Sequence, residues 1–467
     1  HRHTLSNIFR YIFFMSHEKQ THIRKGFWED IRRSSKRHVH IIMIATKPDI
    51  IKQAPLYLEL KKRKELVVLI HTGQHYDYNL SHGVLGEFGM DVDINLNIHG
   101  KLHEKYAMII ERLWNILIEL SEDYKKIPVP YVHGDTLTAT TADKAAFLNK
   151  FAVVHVEAGI RTFTPKKEFF HELFTNYEAG KFDWEKYYLS LQNKDIYELG
   201  SIEPYPEQFD TRWIEPSAGY YALPHELYRK TLKREWFSIE NMEVVGNTVA
   251  DAIELSKTKI ESSQAFELFP NMKGKPFIFI TIHRRENCEK KERFLAIYYG
   301  IKKLIERWVY VCFLGLYASE FAIDAYGLRE DITELVKKYP DNFAYGKALA
   351  HHHEVIDMIS QAGAVVTDSG SMQEEANIVE TPCVTVRFWS DRTETILEWA
   401  NIIAPPINSN LIADIVQWAI ANKKMKKKNI YGSHVSQKIV DGVLARLHKQ
   451  WKLFRYDDER LDLEQYF

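Results

Sequence analysis

The sequence is 467 residues long, more than one hydrophobic core usually organises, and therefore predicts two domains. Hydrophobic residues make up 45% of the chain and charged residues 27%, as in an ordinary soluble globular protein. Because 62 Lys and Arg residues nearly balance 63 Asp and Glu residues, the net charge provides no long-range attraction to nucleic acid or to an anionic membrane.

The cysteines and the N-terminal residues predict the compartment. Cys288, Cys312 and Cys383 are widely separated and lack metal-ligand spacing, which suits a reducing compartment and argues against a disulfide framework or a zinc site. The apolar run at residues 8–15 is interrupted by Arg10 and is too short to span a bilayer. We expect a cytoplasmic protein with neither a membrane nor a nucleic-acid partner.

Strand and helix patterns alternate from residue 38 to residue 162. Short β-branched runs predict strands, and the amphipathic stretches between them predict helices. This order predicts a parallel doubly wound sheet with helices on both faces. The predicted strands are residues 38–44, 66–73, 128–135 and 152–159, and the predicted helices are residues 50–63, 81–89, 102–123 and 138–150.

Residues 163–205, here called the aromatic segment, interrupt the alternation. They are rich in aromatic and charged side chains and poor in β-branched ones, which predicts an inserted helical excursion that serves as a lid or a partner surface. A second series of patterns begins near residue 242. Its predicted strands are residues 242–245, 276–286, 308–316, 362–370 and 382–388, and its predicted helices include residues 291–308, 371–379, 411–423 and 433–453.

Together the two series predict an α/β protein of two Rossmann-like doubly wound parallel-sheet domains that face a cleft. Ligands bind such sheets at the carboxyl ends of the strands. The expected boundaries are an N-terminal surface helix or tail at residues 1–37, a first domain at 38–243 that includes the aromatic segment, a nucleotide-binding domain at 244–430, and C-terminal helices at 431–467 that cross back over the first domain.

In the first domain, charged residues follow two of the predicted strands. VHGD and VHVEAG place Asp135 and Glu157 where a buried strand ends, and a strand core has no use for a carboxylate. ATKPDIIKQAP places Lys47 and Lys52 at a helix start, where backbone N–H groups and the helix dipole favour anions. The alternative for these lysines is a solvated basic loop.

In the second domain, TIHRREN places His283 and Arg284 directly after an apolar strand, and the alternative is a surface charge cluster. TDSGSMQEEA turns from a strand through a Ser-Gly-Ser triplet into a helix, where N–H groups and hydroxyls can hold a diphosphate. The alternative is an ordinary capped helix. These parts predict an enzyme acting on a nucleotide sugar, and the missing G-x-G-x-x-G fingerprint argues against an NAD cofactor.

These motifs resemble, in the same order, those of the non-hydrolysing UDP-N-acetylglucosamine 2-epimerases, which have the GT-B fold. ATKPDIIKQAP is similar to their G-T-R-P-E-x-I-K-x-A-P, and TGQHYDYNL to T-x-Q-H. VHGDT and HVEAGIRT match nearly letter for letter. VVGNTVADA, IHRREN and TDSGSMQEEA resemble V-x-G-N-T-V-x-D-A, G-H-R-R-E and T-D-S-G-G-x-Q-E-E. The resemblance covers roughly residues 38–162 and 205–445.

The resemblance implies that UDP-GlcNAc and UDP-ManNAc interconvert by elimination of UDP to a 2-acetamidoglucal, followed by re-addition. It implies a UDP-sugar as the bound partner, a homodimer, a role in cell-surface polysaccharide biosynthesis, and neither a metal nor a cofactor. The implied catalytic residues are Asp135, Glu157, Glu207 and His283, and the implied substrate-binding residues are Lys47, Lys52, Arg161, Arg284, Ser369, Gly370, Ser371, Glu375 and Arg392.

Some residues depart from the family's pattern. Glu207 lies in YPEQFDTR, which is similar to P-E-E-x-N-R but delayed by the aromatic segment. Lys47 replaces an arginine and loses its bidentate geometry, and Ser371 replaces a glycine, which is tolerable only where φ is not positive. Asp77 stands where Gln is usual, and FLGLYASE lacks a histidine of the family's Y-P-x-H segment, so we expect weak or absent allosteric activation.

Other functions remain open from the sequence. A hydrolysing 2-epimerase that releases ManNAc is the nearest enzyme alternative, although Pro48 favours the branch that retains UDP. An epimerase of another UDP-2-acetamido sugar and a retaining glycosyltransferase are further enzymes. A catalytically inactive nucleotide-sugar-binding scaffold is the alternative of a different class.

Overall fold

The computed structural model describes residues 21–73, 78–199, 203–425 and 428–449. The chain divides into two compact units. The first unit takes the residues up to Gly159, Phe209–Ala252 and the residues from His434 onward, and the second takes Ile160–Gln208 and Ile253–Ser433.

The described strands are β1 (His22–Ile23), β2 (His38–Ile44), β3 (Val67–His71), β4 (Ile94–Asn95), β5 (Ile127–His133), β6 (Val153–Val156), β7 (Phe163–Pro165), β8 (Tyr197–Leu199), β9 (Ala218–Leu223), β10 (Met242–Val244), β11 (Ile278–Ile282), β12 (Val311–Gly315), β13 (Phe343–Lys347), β14 (Ala364–Thr367), β15 (Cys383–Thr385) and β16 (Asn401–Ile403).

The described α-helices are α1 (Phe27–Arg33), α2 (Lys47–Lys62), α3 (Tyr78–Phe88), α4 (Leu102–Ile118), α5 (Leu137–Leu148), α6 (Lys167–Glu178), α7 (Trp184–Ser190), α8 (Glu207–Ile214), α9 (Glu226–Arg234), α10 (Val249–Lys257), α11 (Ala265–Leu268), α12 (Arg285–Cys288), α13 (Lys291–Glu306), α14 (Tyr317–Ala325), α15 (Arg329–Lys338), α16 (His352–Gln361), α17 (Gly370–Ile378), α18 (Thr393–Leu397), α19 (Ser409–Ala421) and α20 (Val435–Lys449). Across the described residues, the helices are too short or too polar to cross a bilayer.

An eight-stranded sheet forms the centre of the first unit, in the order β1-β4-β3-β2-β5-β6-β9-β10. All of its pairs are parallel except β1 with β4. Strands β3, β5 and β6 are buried along their whole length, as parallel strands covered on both faces are. The doubly wound sheet predicted from the alternation is therefore present.

A six-stranded parallel sheet forms the centre of the second unit, in the order β13-β12-β11-β14-β15-β16. Numbered within the unit, this is the 3-2-1-4-5-6 order of a Rossmann fold. The predicted fold class of two Rossmann-like sheets is confirmed.

The aromatic segment belongs to the second unit, which corrects its expected place in the first domain. Its described part contains helices α6 and α7, and these lie between the two strands of the antiparallel pair β7–β8. Leu173, Tyr187, Tyr188 and Leu191 are buried in the same hydrophobic cluster as sheet residues of the second unit. Burial of this apolar face against the second core decides where the segment lies, which a composition-based boundary could not detect.

Two further boundaries differ from expectation. The strand pattern near residue 242 was predicted to begin the second series, with the domain boundary after residue 243, but β10 pairs with β9 at the edge of the first sheet and the first unit continues to Ala252. Residues 21–37 were predicted as a surface helix or tail before the first domain. Most of them are exposed and α1 is a helix, but β1 extends the first sheet, and Phe27 and Ile31 of α1 are buried in its core, so they belong to the first unit. Residues 1–20 lie outside the described part of the chain.

The C-terminal helix α20 clusters with the first unit. Asp251 of α10 accepts hydrogen bonds from the backbone N–H groups of Val435 and Ser436 at 3.1 and 2.7 Å. This carboxylate satisfies donors that the start of α20 leaves without intrahelical partners, and its negative charge suits the helix dipole there.

Candidate active site

Each sheet reverses its strand order at one point, and the predicted site residues follow the strands on either side of it. In the first unit the reversal lies between β2 and β5, and α2 and Asp135 follow these strands. In the second unit it lies between β11 and β14, which are followed by His283 and by the Ser369–Ser371 turn. Loops diverge at such a point and leave a crevice, so each unit presents a candidate binding edge.

Glu157 is the most constrained residue of the first edge. It adopts a left-handed conformation with φ +66° directly after β6, which costs a residue other than glycine about 1–3 kcal/mol. Its two carboxylate oxygens accept hydrogen bonds from Nζ of Lys52, each at 2.9 Å. The Lys52 and Glu157 side chains are only 2% and 1% exposed, so this is a buried ion pair.

His133, at the end of β5, adds a second cation to Glu157. Its Nε2 contacts the Glu157 carboxylate, and its Nδ1 lies 3.6 Å from Oδ1 of Asp49. Burial disfavours the charged ring, but Glu157 and Asp49 together raise the pKa of His133 to about 9. With His133 charged, the cluster of Asp49, Lys52, His133 and Glu157 places two basic side chains against two acidic ones, which compensate each other's burial.

The charged His133 predicts a pH dependence of stability. Because its folded-state pKa of about 9 exceeds the ordinary histidine value of 6.5, the stabilisation is complete below about pH 6.5 and is lost as the pH rises to about 9. The loss should be on the order of 3 kcal/mol. Urea unfolding across this pH range measures it. His133→Gln should flatten the profile, whereas His103→Gln on the exposed face of α4 should not. The idea fails if wild type and His133→Gln show parallel profiles.

Asp135 and Lys47 keep accessible surface at the same edge. Gly134 precedes Asp135 with φ +63° and donates its N–H to Val156 O at 2.8 Å, which ties the ends of β5 and β6 together. Asp135 is half-buried, and so is Lys47, the first residue of α2. Of the predicted site residues in this unit, these two can meet a ligand directly, whereas Lys52 and Glu157 are already buried in their ion pair.

Asp368 organises the second edge. It lies after β14, is fully buried, and accepts from the backbone N–H groups of His283 and Arg284 at 2.9 and 3.0 Å and from Nδ2 of Asn287 at 3.0 Å. The Oγ1 atoms of Thr281 and Thr367, 2.9 Å apart, join the two strands just before. The carboxylate of Asp368 in TDSGS therefore links this motif to TIHRREN, and the two motifs form one hydrogen-bonded cluster.

The Ser-Gly-Ser turn begins helix α17. Ser369 is its N-cap and accepts from Met372 N at 3.4 Å, so the capped-helix interpretation is confirmed, and anion binding at the same turn stays a prediction. A Cβ on Gly370 would lie 3.2 Å from Oδ2 of Asp391, which shows how closely the loop after β15 approaches the turn. Ser371 lies within the helix without a positive φ, so serine in place of glycine is tolerated.

Three guanidinium groups surround Asp391 beside this turn. Arg387 Nη1 lies 2.9 Å from Oδ1 of Asp391, while Arg392 Nη1 and Arg284 Nη2 lie 3.4 and 3.9 Å from Oδ2. Although burial favours the neutral acid, Arg387, then Arg392 and Arg284, hold the pKa of Asp391 well below its usual range. Asp391 thus holds three guanidinium groups beside a helix N-terminus, where their N–H groups can meet a phosphate group.

The surroundings of His283 favour its neutral ring. Desolvation lowers its pKa to about 4, and the positive charges of Arg284 and Arg387 act in the same direction, against the opposing charge of Asp368. Nδ1 lies 3.5 Å from Oδ1 of Asp368, and the side chain is 35% exposed. A neutral ring can still donate one N–H to a ligand oxygen.

Glu207, Arg161 and Glu375 complete the predicted set in the second unit. Arg284 Nη1 donates to Oε1 of Glu207 at 3.0 Å, so the structure brings these two predicted residues together. Arg161 is fully buried and its Nη1 donates to Ile160 O at 3.0 Å, which favours a structural role. Glu375 is buried against His352, whose Nε2 lies 3.2 Å from its Oε1.

Sequence reasoning did not assign roles to His133, Asp49, Asp368 or Asp391. The first three lie in motifs that were identified, and each directly follows or ends an apolar strand or begins a helix, which was the available signal. Asp391 lies in a loop with no such signal. Residues 74–77, which include Asp77 and most of the T-x-Q-H resemblance, lie outside the described part of the chain.

The sequence matches the UDP-N-acetylglucosamine 2-epimerase family over residues 58–175 and 200–444. The chain belongs to this family. The unmatched residues 176–199 lie inside the aromatic segment, whose flanking residues 163–175 and 200–205 fall within the match.

Relatives and solved structures agree with this membership. The UDP-N-acetylglucosamine 2-epimerases of Methanocaldococcus jannaschii and Bacillus subtilis are 26% and 27% identical to the chain, covering 86% and 89% of it and 98% and 94% of their own lengths. The Neisseria meningitidis UDP-GlcNAc 2-epimerase bound to UDP-GlcNAc is similar with a TM-score of 0.69, 25% identity, and coverage of 87% of this chain and 100% of that one. The M. jannaschii enzyme in complex with UDP-GlcNAc and UDP has a TM-score of 0.70, 26% identity, and coverage of 87% and 99%.

Proposed function

We propose that the protein interconverts UDP-GlcNAc and UDP-ManNAc without hydrolysis. The observation that carries this proposal is the second edge, where Asp368 holds His283 and Arg284 beside the Ser-Gly-Ser turn at the reversal of strand order. The similar structures from N. meningitidis and M. jannaschii contain UDP-GlcNAc, which supports the substrate class. In this proposal the protein is a cytoplasmic homodimer that supplies UDP-ManNAc for cell-surface polysaccharide.

The chemistry requires a proton to leave an unactivated carbon. A carboxylate removes the proton from C2 of the sugar, the C–H electrons form the C1–C2 double bond, and the C1–O bond breaks as UDP leaves with its electron pair. The resulting 2-acetamidoglucal is re-protonated at C2 on the opposite face while a UDP oxygen bonds again to C1. Nothing is oxidised or reduced overall, so the reaction as written needs no redox cofactor.

Exposure separates the roles of the three acids. Asp135 and Glu207 are half-buried and retain surface that a sugar could reach, so we assign them the proton transfers. Glu157 is buried and accepts from Lys52 with both oxygens, so we assign it the task of fixing the charge and geometry beneath the Gly134–Asp135 turn. Of the three carboxylates that the resemblance implies as catalytic, only Asp135 and Glu207 are therefore given a proton transfer.

The nucleotide contacts follow from the second edge. The N–H groups at the start of α17 and the guanidinium groups of Arg392 and Arg284 would hold the diphosphate. Neutral His283 would donate to the departing phosphate oxygen, where negative charge develops. Glu375, oriented by His352, would accept from the ribose hydroxyls.

Incubation with UDP-GlcNAc in deuterium oxide tests the reaction. We expect deuterium at C2 of both UDP-sugars and no free ManNAc, because UDP, and not water, adds back to C1 of the glucal. Free ManNAc in stoichiometric amount would show the hydrolysing reaction instead. UDP binding without exchange at C2 would show a scaffold, and a product other than UDP-ManNAc would show another 2-acetamido sugar as substrate.

A further inference from the structure

The loop between β15 and α18 carries much of the proposed diphosphate site. Arg387, Asp391 and Arg392 all lie on it, and Arg392 contacts Glu374 of α17 through its Nε. A Cβ on Gly370 would lie only 3.3 Å from Cζ of Arg392, so the loop packs closely against the start of α17. A shift of the loop would therefore move the guanidinium groups relative to the Ser-Gly-Ser turn.

Three consecutive residues of the loop are held by the aromatic segment. The ring of Phe388 packs edge-on against Phe170 with centroids 5.5 Å apart. The indole Nε1 of Trp389 donates to Oε2 of Glu203 at 2.6 Å. Ser390 exchanges two backbone hydrogen bonds with Phe163, at 3.0 and 3.1 Å.

These contacts continue into the diphosphate site. Ser390 Oγ donates to Oε1 of Gln373 on α17 at 2.8 Å and accepts from Arg392 N at 2.9 Å. Trp389 stacks under the guanidinium of Arg387, whose Cζ lies 4.2 Å from the ring centroid. The residues held by the aromatic segment therefore support two of the three arginines around Asp391.

The aromatic segment is itself firmly attached to the second unit. Tyr187 OH donates to Ile403 O at 2.7 Å, Tyr188 OH donates to Trp399 O, and Tyr177 OH donates to Oδ2 of Asp414 at 2.6 Å. Tyr187 and Tyr188 are buried, so their hydroxyls satisfy buried carbonyls as well as filling the core. A segment bonded in this way suits a fixed support better than the lid expected from its composition.

We propose that the aromatic segment is a positioning element for the nucleotide site, acting through Phe388, Trp389 and Ser390 on Arg387 and Arg392. The proposal rests on the proposed function only in taking UDP as the ligand. It assigns Glu203 and Trp389 as positioning residues, and it gives residues 176–199, which the family match leaves out, the task of attaching the segment to the second unit through Tyr187 and Tyr188.

Trp389→Phe tests the proposal because it keeps a ring over Arg387 and removes the indole N–H. We expect the Kd for UDP, measured by titration calorimetry, to rise about tenfold, with KM for the UDP-sugar rising in parallel and kcat changing less. Tyr177→Phe is the matched control, because it removes a hydrogen bond from the same segment that does not touch the loop. Its Kd should stay within about twofold.

Two variants at Glu203 separate the hydrogen bond from a packing defect. Glu203→Gln keeps an oxygen that can accept from Trp389 Nε1, and Glu203→Ala does not, so UDP affinity should follow the order wild type, Gln, Ala while the thermal midpoints of Glu203→Ala and Tyr177→Phe stay similar. Equal UDP affinity in wild type, Trp389→Phe and Glu203→Ala would overturn the positioning role. If wild type binds UDP without epimerising, only the proposed reaction fails, and if it binds no UDP, both proposals fail.

Discussion

Asp135→Asn should lower C2 proton exchange and epimerisation by about 10³-fold while leaving the Kd for UDP within about threefold. The amide keeps the size and the acceptor oxygen of the half-buried side chain at the end of β5 but cannot take up a proton. UDP is held in our proposal by residues of the second unit, so its affinity should not depend on this charge. Deuterium incorporation and calorimetry with UDP measure the two effects separately.

Asp123→Asn, on the exposed end of the segment after α4, is the control for loss of one negative charge in the first unit. It should retain full exchange. An Asp135→Asn variant that still exchanges the C2 proton at the wild-type rate would remove Asp135 from the proton transfer and leave Glu207 as the accessible carboxylate. If Asp135→Asn lost both UDP binding and C2 proton exchange, Asp135 would instead be assigned to ligand binding.

Local patterns were sufficient for most of the sheet architecture. Strand β2 was predicted with its observed bounds, because a short run rich in β-branched residues between polar turns usually forms a strand. The motifs after β5, β6, β11 and β14 were predicted to lie at strand ends, and they do. Since parallel strands bring their carboxyl ends to one edge, the sequence position of an acid after a strand already predicts which residues share that edge.

Contacts between residues that are far apart in the sequence could not be predicted from these local patterns. Lys52 was predicted to bind an anionic ligand because it lies near a helix start, but its partner is Glu157, 105 residues later in the chain. Strand β9 was not predicted, and it is fully buried between β6 and β10 although it follows the aromatic segment. Both depend on packing across the sheet, which no window of residues contains.

Lys52→Met should lower the free energy of unfolding by about 3 kcal/mol, because it leaves the buried carboxylate of Glu157 with one cation fewer. The same change should lower activity strongly, since Glu157 lies beneath the Gly134–Asp135 turn: a Cβ on Gly134 would lie 3.8 Å from its Oε2. Adding Glu157→Gln removes the uncompensated charge, so the double variant should be more stable than Lys52→Met alone. Urea unfolding of wild type, Lys52→Met, Glu157→Gln and the double variant gives the coupling free energy between Lys52 and Glu157 directly.

Lys62→Met provides the matched control on the same helix. Its Nζ lies 3.6 Å from Oε2 of Glu59, but the side chain is 77% exposed, so the loss should be no more than about 0.5 kcal/mol. The loss in free energy of unfolding is therefore expected to depend on how deeply the lysine is buried, and not on whether it forms an ion pair. Equal losses in Lys52→Met and Lys62→Met, or a double variant no more stable than Lys52→Met, would show that Lys52 does not compensate the charge of Glu157.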